Sequence, residues 1–481
     1  MARRRGERAG HEPLSGPIRV DFAGLLLGSR KRASRRIGVF EGIPAMGLDA
    51  LASIAYGPEA ALLVLAPLGV GAPMHARWLM LPVLVLLALL YVTYRQTIGA
   101  YPGNGGAYVV ARDNLGEAAS LLAAGALMID YVLNAAVGIS AGVGALISIL
   151  PSLQPYTSPL CLVVLAVLTL INLRGAMFSG RVLALPAYAY IGCFLAVIAW
   201  GLYRAAVEGG HPHTLIAPYS DGNGSEPANA WLLLQAFAVA CSATTGVEAV
   251  SNSVSAFRDP VRRHGRHTLG LIVAALMVLL AGVAWLLPVY GIHAMDQSQP
   301  GYRSVLAQLV AAVSGHGAFF FLVIAVLLCV LMLSANTSFV AMPRLCRSIA
   351  DDGYLPRRFS ARGNHFGMLF LAGGAALLLI GFGGITQKLV PLFTIGVLLG
   401  FTLSQLSLTL HWERALREGH WGTPLGLWLR LLINALGALV TMVAIVVVLV
   451  SQFTEGAWIA LFAVPASIVL LKFVQRRRAE R

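Results

Sequence analysis

The chain has 481 residues, of which 58% are hydrophobic and 12% charged, with a formal net charge of +14. A soluble domain is about a quarter charged, and mean hydropathy here is +0.76. No water-soluble fold hides that much apolar surface, which excludes an ordinary soluble enzyme, a disordered chain and a disulfide scaffold and leaves an all-α polytopic membrane protein.

Residues 1–40 read as a basic tail. Pro13 and Pro17 interrupt it and no long apolar region follows them, so it is not a signal peptide. Phe22 to Leu27 forms a short apolar patch that suits the membrane surface or a plain basic tail equally. A membrane-spanning helix needs about 20 apolar residues. Twelve such segments are predicted, centred near residues 55, 89, 134, 165, 193, 242, 279, 327, 375, 399, 438 and 464. They divide into a first repeat over 41–207, a second over 228–411, and helices 11 and 12 over 426–475. Residues 476–481 form a short basic tail.

Twelve spans place both termini on one side. With the N-terminus inside, 31 of the 35 Lys and Arg residues fall in inner segments. The other four are Arg77, Arg204, Arg303 and Lys388. That asymmetry predicts cytoplasmic termini in the plasma membrane. The basic residues lie in tails and short loops without interleaved aromatics, so nucleic acid is not an expected partner. Cys161, Cys193, Cys241 and Cys329 lie inside apolar runs and Cys346 in a basic loop. No CxxC or CxxH spacing occurs, so no zinc or haem is expected.

Span 1 carries Asp49 and Glu59, span 3 Asp130 and span 6 Glu248. Each costs roughly 2.5–3.5 kcal/mol to insert at membrane depth, and no Lys or Arg lies at the same depth to neutralise them. An uncompensated acidic interior attracts cations or carries protons. Spans 1 and 6 also share Gly-x-Glu-Ala, at Gly57, Glu59 and Ala60 and at Gly246, Glu248 and Ala249. Gly57 with Pro58, and Gly246 after two threonines, predict a helix break in each. Corresponding breaks in two halves are the mark of inverted repeats around a midplane site, and an offset of five spans predicts a 5+5 arrangement.

On span 3, Asp130, Asn134, Gly138 and Ala141 share one helix face. Gly138 and Ala141 there read as helix-packing residues. Span 8 supplies Ser334, Asn336, Thr337 and Ser338, although hydroxyls in membrane helices often bond their own preceding turn. Span 10 supplies Phe393, Thr394, Ser404 and Gln405. The glycine-rich loop Pro102 to Gly116 lacks the Lys-Ser/Thr of a phosphate loop and follows no strand. No GxSxG with a matching His and no HExxH occurs. A transporter driven by an ion gradient is therefore expected, without a cofactor and not an enzyme.

The segments LDALASIAYGPE, AYPGNGGAYVVARDNLG, LMIDYVLNAAVGISAG, INLRG, TTGVEAVSN with FRDP, and SANTSFVAMPRLCRSIADDGYLPRRF occur in order. Together they resemble the amino acid–polyamine–organocation superfamily, and within it the KimA-type potassium importers, over about residues 40–475. The resemblance implies a LeuT-like 5+5 inverted repeat. It implies a potassium site at Asp49, Tyr56, Asp130, Thr245 and Glu248. Three positions depart from that group's pattern: Asn134 and Gly138 replace Thr and Ser, and Phe393 replaces Tyr. Asn134 still offers a carbonyl oxygen; Gly138 and Phe393 each remove a hydroxyl. The KimA-type importers also carry a cytoplasmic domain after the last span through which cyclic di-AMP inhibits them. None follows the last predicted span here, so that regulation is not expected.

Two functions stay open at this point. One is proton-coupled potassium import, with Asp49, Tyr56, Asp130, Asn134, Thr245 and Glu248 around the cation and Asp130 or Glu248 carrying the proton. The other is a proton-coupled amino acid or amine permease on the same scaffold. Under the first, Gly138→Ser should hold or tighten uptake; under the second it should crowd the pocket. Besides its substrate, the proton and the bilayer, a second copy of the chain is the one partner anticipated.

Overall fold

The computed structural model describes residues 36–479, apart from 104, 176–179, 220–223, 225, 360–364 and 420–422. The apolar patch Phe22 to Leu27 and most of the basic tail lie outside the described residues. Those residues form helices joined by turns, with one isolated bridge between Ile37 and Phe257. A helix satisfies every backbone polar group within one segment, which lipid requires.

Following the predicted spans, α1 is Val39–Val64, α2 Ala72–Ala100, α3 Glu117–Ile149, α4 Thr157–Leu173 and α5 Gly180–Val207. The sixth consists of α6a, Ala230–Ala240, and α6b, Ala249–Asn252. Then come α7, Val261–Val289; α8, Ala318–Asp351; α9, His365–Gly381; α10, Thr386–Glu418; α11, Pro424–Ser451; and α12, Trp458–Ala479. Two shorter helices connect spans, Ala107–Leu115 between α2 and α3 and Val305–Ser314 between α7 and α8. The segment expected to be a glycine-rich loop is thus helical over its second half. Its AYVVARDNL stretch forms the helix Ala107–Leu115 once the glycines have passed, with Ala107, Tyr108, Val110 and Ala111 buried.

Among the described residues nine helices are long and apolar enough to cross a membrane: α2 to α5, α7, α8 and α10 to α12. The three other expected spans differ for separate reasons. α1 carries Glu41, Asp49 and Glu59, which lower its hydropathy. The sixth is divided by an unwound stretch, and α9 spans 17 residues.

Helices five spans apart pack on one another: α1 on α6a, α2 on α7, α3 on α8 and α4 on α9. Two five-span units related by a pseudo-twofold axis produce that pattern, and the two connecting helices occupy matching places in it. α10 and α3 are the most enclosed spans, at 89% and 78% of their apolar windows buried, against 22% for α4 and for α12. Asp130 therefore sits on a helix that other helices shield from lipid.

The two predicted helix breaks resolve differently. The sixth span is interrupted: Cys241–Thr244 is a tight 3₁₀ turn, Thr245 is extended, and Gly246 has φ +78°. That left-handed conformation is open to glycine without penalty. α1, by contrast, runs as one helix through Gly57 and Pro58. Gly57 gives close approach instead, since a Cβ there would overlap Ala243 of the interrupted span. The Ser53 hydroxyl donates to the Ala243 carbonyl at 2.8 Å across the same contact. Pro58 removes one backbone donor, a loss the rest of α1 tolerates.

Candidate functional site

The site is built where α1, α3, α8 and α10 surround the interruption between α6a and α6b. Gly246 lies so close to α1 that a Cβ on it would overlap the backbone at Asp49 and Ala50. This contact sets the register between the two helices carrying the matching motifs. From it, the Tyr56 hydroxyl meets the Thr245 hydroxyl at 2.9 Å. The Tyr56 ring stands edge-on to Phe393 of α10, with centroids 5.9 Å apart. Phe393 thus walls the site with a ring rather than with an oxygen.

Asp49 is buried and accepts a hydrogen bond from the Ser334 hydroxyl of α8 at 3.2 Å. Asn134 donates from its amide nitrogen to Ser338 at 3.0 Å, which leaves its carbonyl oxygen buried and unpartnered. Asp130 Oδ1 and Glu248 Oε2 are likewise buried without a hydrogen-bond partner. They are the carboxyl oxygens in that condition among the described residues. Both residues line one cavity with Tyr94, Leu127, Gly396 and Phe401. Gly396 brings α10 against the Asp130 backbone, where a Cβ would lie 3.6 Å from the Asp130 Cα.

Buried polar atoms are nearly always paired, and a buried charge without a partner is costly. A cluster of acceptor oxygens lacking donors is therefore arranged for something that supplies positive charge. No group of His, Cys, Asp and Glu that could hold a resident metal occurs among the described residues.

The fourth acid is of another kind. Glu59 accepts from the Tyr302 hydroxyl at 2.6 Å, from the Val305 backbone N–H at 3.1 Å and from Gln387 at 3.4 Å. Val305 opens the connecting helix Val305–Ser314, whose first N–H groups favour a carboxylate. Glu59 is fully satisfied and fastens α1 to that helix and to α10.

Other sequence candidates sort similarly. Ser334 and Ser338 enter the site, whereas Thr337 bonds the Ser334 carbonyl at 2.7 Å and Asn336 accepts from Asn172 at 2.7 Å. Gly138 faces α8, and a Cβ on it would sit 3.1 Å from the Leu331 carbonyl and 3.2 Å from Ala335 Cβ. It is a packing contact, so the expectation that serine there adds a cation ligand does not follow. Tyr94, Gly396 and Phe401 were not anticipated. Gly396 and Gly400, four residues apart on an otherwise bulky helix, were the available signal.

The fold, the buried acids and the interrupted helix are those of a transporter, and the chain belongs to the amino acid permease family, whose profile matches residues 51–471. It is a multi-pass membrane transporter, not an enzyme. It is 34% identical over 460 residues to the potassium transporter KimA of Bacillus subtilis (strain 168), over 94% of this chain and 73% of that one. The crystal structure of the Eremococcus coleocola manganese transporter, in complex with an aromatic bis-isothiourea substituted compound, superposes with a TM-score of 0.49 and 13% identity. It covers 94% of this chain and 99% of that one.

Proposed function

We propose that the chain imports potassium together with protons through the site around Asp49, Tyr56, Asp130, Asn134, Thr245 and Glu248. The observation that carries this reading is the pair of buried, unpartnered carboxyl oxygens of Asp130 and Glu248 on one cavity. A dehydrated monovalent cation replaces its water shell with such oxygens. Hydroxyls of Tyr56 and Thr245 and the carbonyl of Asn134 are neutral ligands of the type a hard cation accepts. Asp130 or Glu248 carries the coupling proton in this reading, because two nearby carboxyls in a low-dielectric site cannot both stay ionised without a cation.

Similarity to a potassium transporter supports the same substrate. The 31-to-4 division of basic residues supports cytoplasmic termini, and the plasma membrane is the proposed location. The amino acid or amine permease is the second reading, favoured by the family itself and by Phe393, which brings a ring rather than a hydroxyl against Tyr56. In it the acids would meet a substrate ammonium and the broken-helix N-terminus its carboxylate; similarity to a potassium transporter over 94% of the chain makes it the weaker one.

The test is growth of a bacterium lacking its potassium uptake systems on limiting potassium, with Asp130→Asn as control. Rescue that the control abolishes supports the reading. No rescue, with the protein shown to be in the membrane, overturns it in favour of the permease.

A further inference from the structure

Away from the site, four arginines from three separate segments converge. Arg95 lies on α2, Arg262 and Arg266 on α7, and Arg430 on α11. The frame that gathers them is specific. Gln96 Oε1 accepts from Trp412 Nε1 at 2.8 Å and from Asn434 Nδ2 at 2.9 Å, fastening α10 and α11 to α2 beside Arg95. Arg430, one turn before Asn434, holds its guanidinium 4.7 Å from the centre of the Trp412 ring. The Arg266 Nε–H donates to the Arg95 carbonyl at 3.2 Å. The Arg266 guanidinium occupies the space above Gly99, where any Cβ would overlap it. Arg95 donates to the Tyr91 hydroxyl at 2.8 Å.

Arg95, Arg262 and Arg430 all lie within electrostatic reach of Arg266. Among the described residues none of the four pairs with a carboxylate. Like charges fixed together repel, and the neutral contacts that hold these supply no compensating negative charge. Beside them α11 exposes Leu425, Trp428, Leu429 and Leu432, and α7 exposes Leu271. Guanidiniums next to an exposed apolar face at the end of a helix bundle match a ligand with phosphate at one end and acyl chains at the other.

We propose that Arg95, Arg262, Arg266 and Arg430 form a binding site for an anionic phospholipid, of the class that carries two phosphates on one headgroup. The site depends on neither potassium nor protons, so it stands or falls apart from the transport reading. The test uses the full-length protein, stripped of lipid in detergent. Lipid retention is read by native mass spectrometry and the unfolding midpoint by a thermal scan. The probes are cardiolipin, phosphatidylglycerol, phosphatidylcholine and free glycerol phosphate.

Cardiolipin is expected to be retained most strongly and to raise the midpoint, while phosphatidylcholine is not. Affinity is expected to fall about fivefold for each arginine removed in Arg266→Gln with Arg430→Gln. Arg417→Gln, whose arginine already pairs with Glu413, should behave as wild type. Lysine at the same two positions should keep most of the binding, which separates charge from packing. If the double glutamine variant fails to fold, the exposed Arg262→Gln is read the same way. Equal cardiolipin retention by wild type and variant overturns the proposal. So does an equal midpoint shift from glycerol phosphate, which would make this a soluble-anion site.

Discussion

The Tyr56 hydroxyl lies 2.9 Å from the Thr245 hydroxyl, joining the middle of α1 to the extended residue where the sixth span unwinds. The bond holds two elements 189 residues apart in a single register and aims two oxygens at one place. Tyr56→Phe keeps the ring packed against Phe393 and removes only the hydroxyl. The expected outcome is a weaker apparent affinity for the cation, by roughly fivefold to tenfold for about 1 kcal/mol of lost interaction. Rubidium uptake into proteoliposomes measures it, and an unchanged affinity would remove Tyr56 from the site.

Asp130→Asn and Glu248→Gln each replace a carboxyl without a hydrogen-bond partner on one oxygen by a neutral group of nearly the same shape. Uptake should be abolished in both. Thermal stability should hold or rise, because an uncompensated buried charge has been removed rather than an ion pair broken. A variant that loses stability and transport together would show that the carboxyl is structural. Transport that survives Glu248→Gln would sink the cation-site assignment.

Glu59 should show the opposite split. Its carboxylate receives three donors, from Tyr302, Val305 and Gln387. Glu59→Gln puts an amide NH₂ where one acceptor was needed and should cost about 2 kcal/mol, read as a lower unfolding midpoint. Cation affinity of the protein that remains folded should be unchanged. An affinity loss without a stability loss would place Glu59 in the cation path.

Substitutions at Gly246 and Gly138 differ in severity. Gly246→Ala places a side chain in the left-handed region, at about 1–2 kcal/mol, and drives its Cβ into the backbone of α1 at Ala50. Folded protein should be lost, as seen in membrane-extracted yield. Gly138→Ser meets the Leu331 carbonyl at 3.1 Å and should cost about 1–3 kcal/mol through overpacking between α3 and α8. Uptake should weaken rather than tighten. Tighter uptake would mean that the serine hydroxyl reaches the cation after all.

The membrane class was legible because hydropathy and charge placement are sums over the chain. The interruption of the sixth span was legible because a glycine after two threonines, none of them a good helix former, weakens a helix locally. The same reasoning misread Gly57 and Pro58. A Gly-Pro pair weakens a helix locally, but Gly57 is used for contact with Ala243, and that contact is invisible until both helices are placed. Tyr94 was missed because nothing in its own neighbourhood sets it apart from the aromatic residues around it.

By itself the sequence determined a polytopic helical transporter with acids at membrane depth and a motif repeated five spans apart. Those properties follow from composition, helical period and the cost of burying charge in lipid. Which acid stays free and which is satisfied was decided by tertiary structure alone. Glu59 draws its donors from residues 243 to 328 positions away, while Asp130 and Glu248 each keep an oxygen without a partner. The gathering of Arg95, Arg262, Arg266 and Arg430 has the same origin. Each is an ordinary basic residue near a span end until α2, α7 and α11 bring their charges together, and electrostatic energy depends on distance in space rather than along the chain.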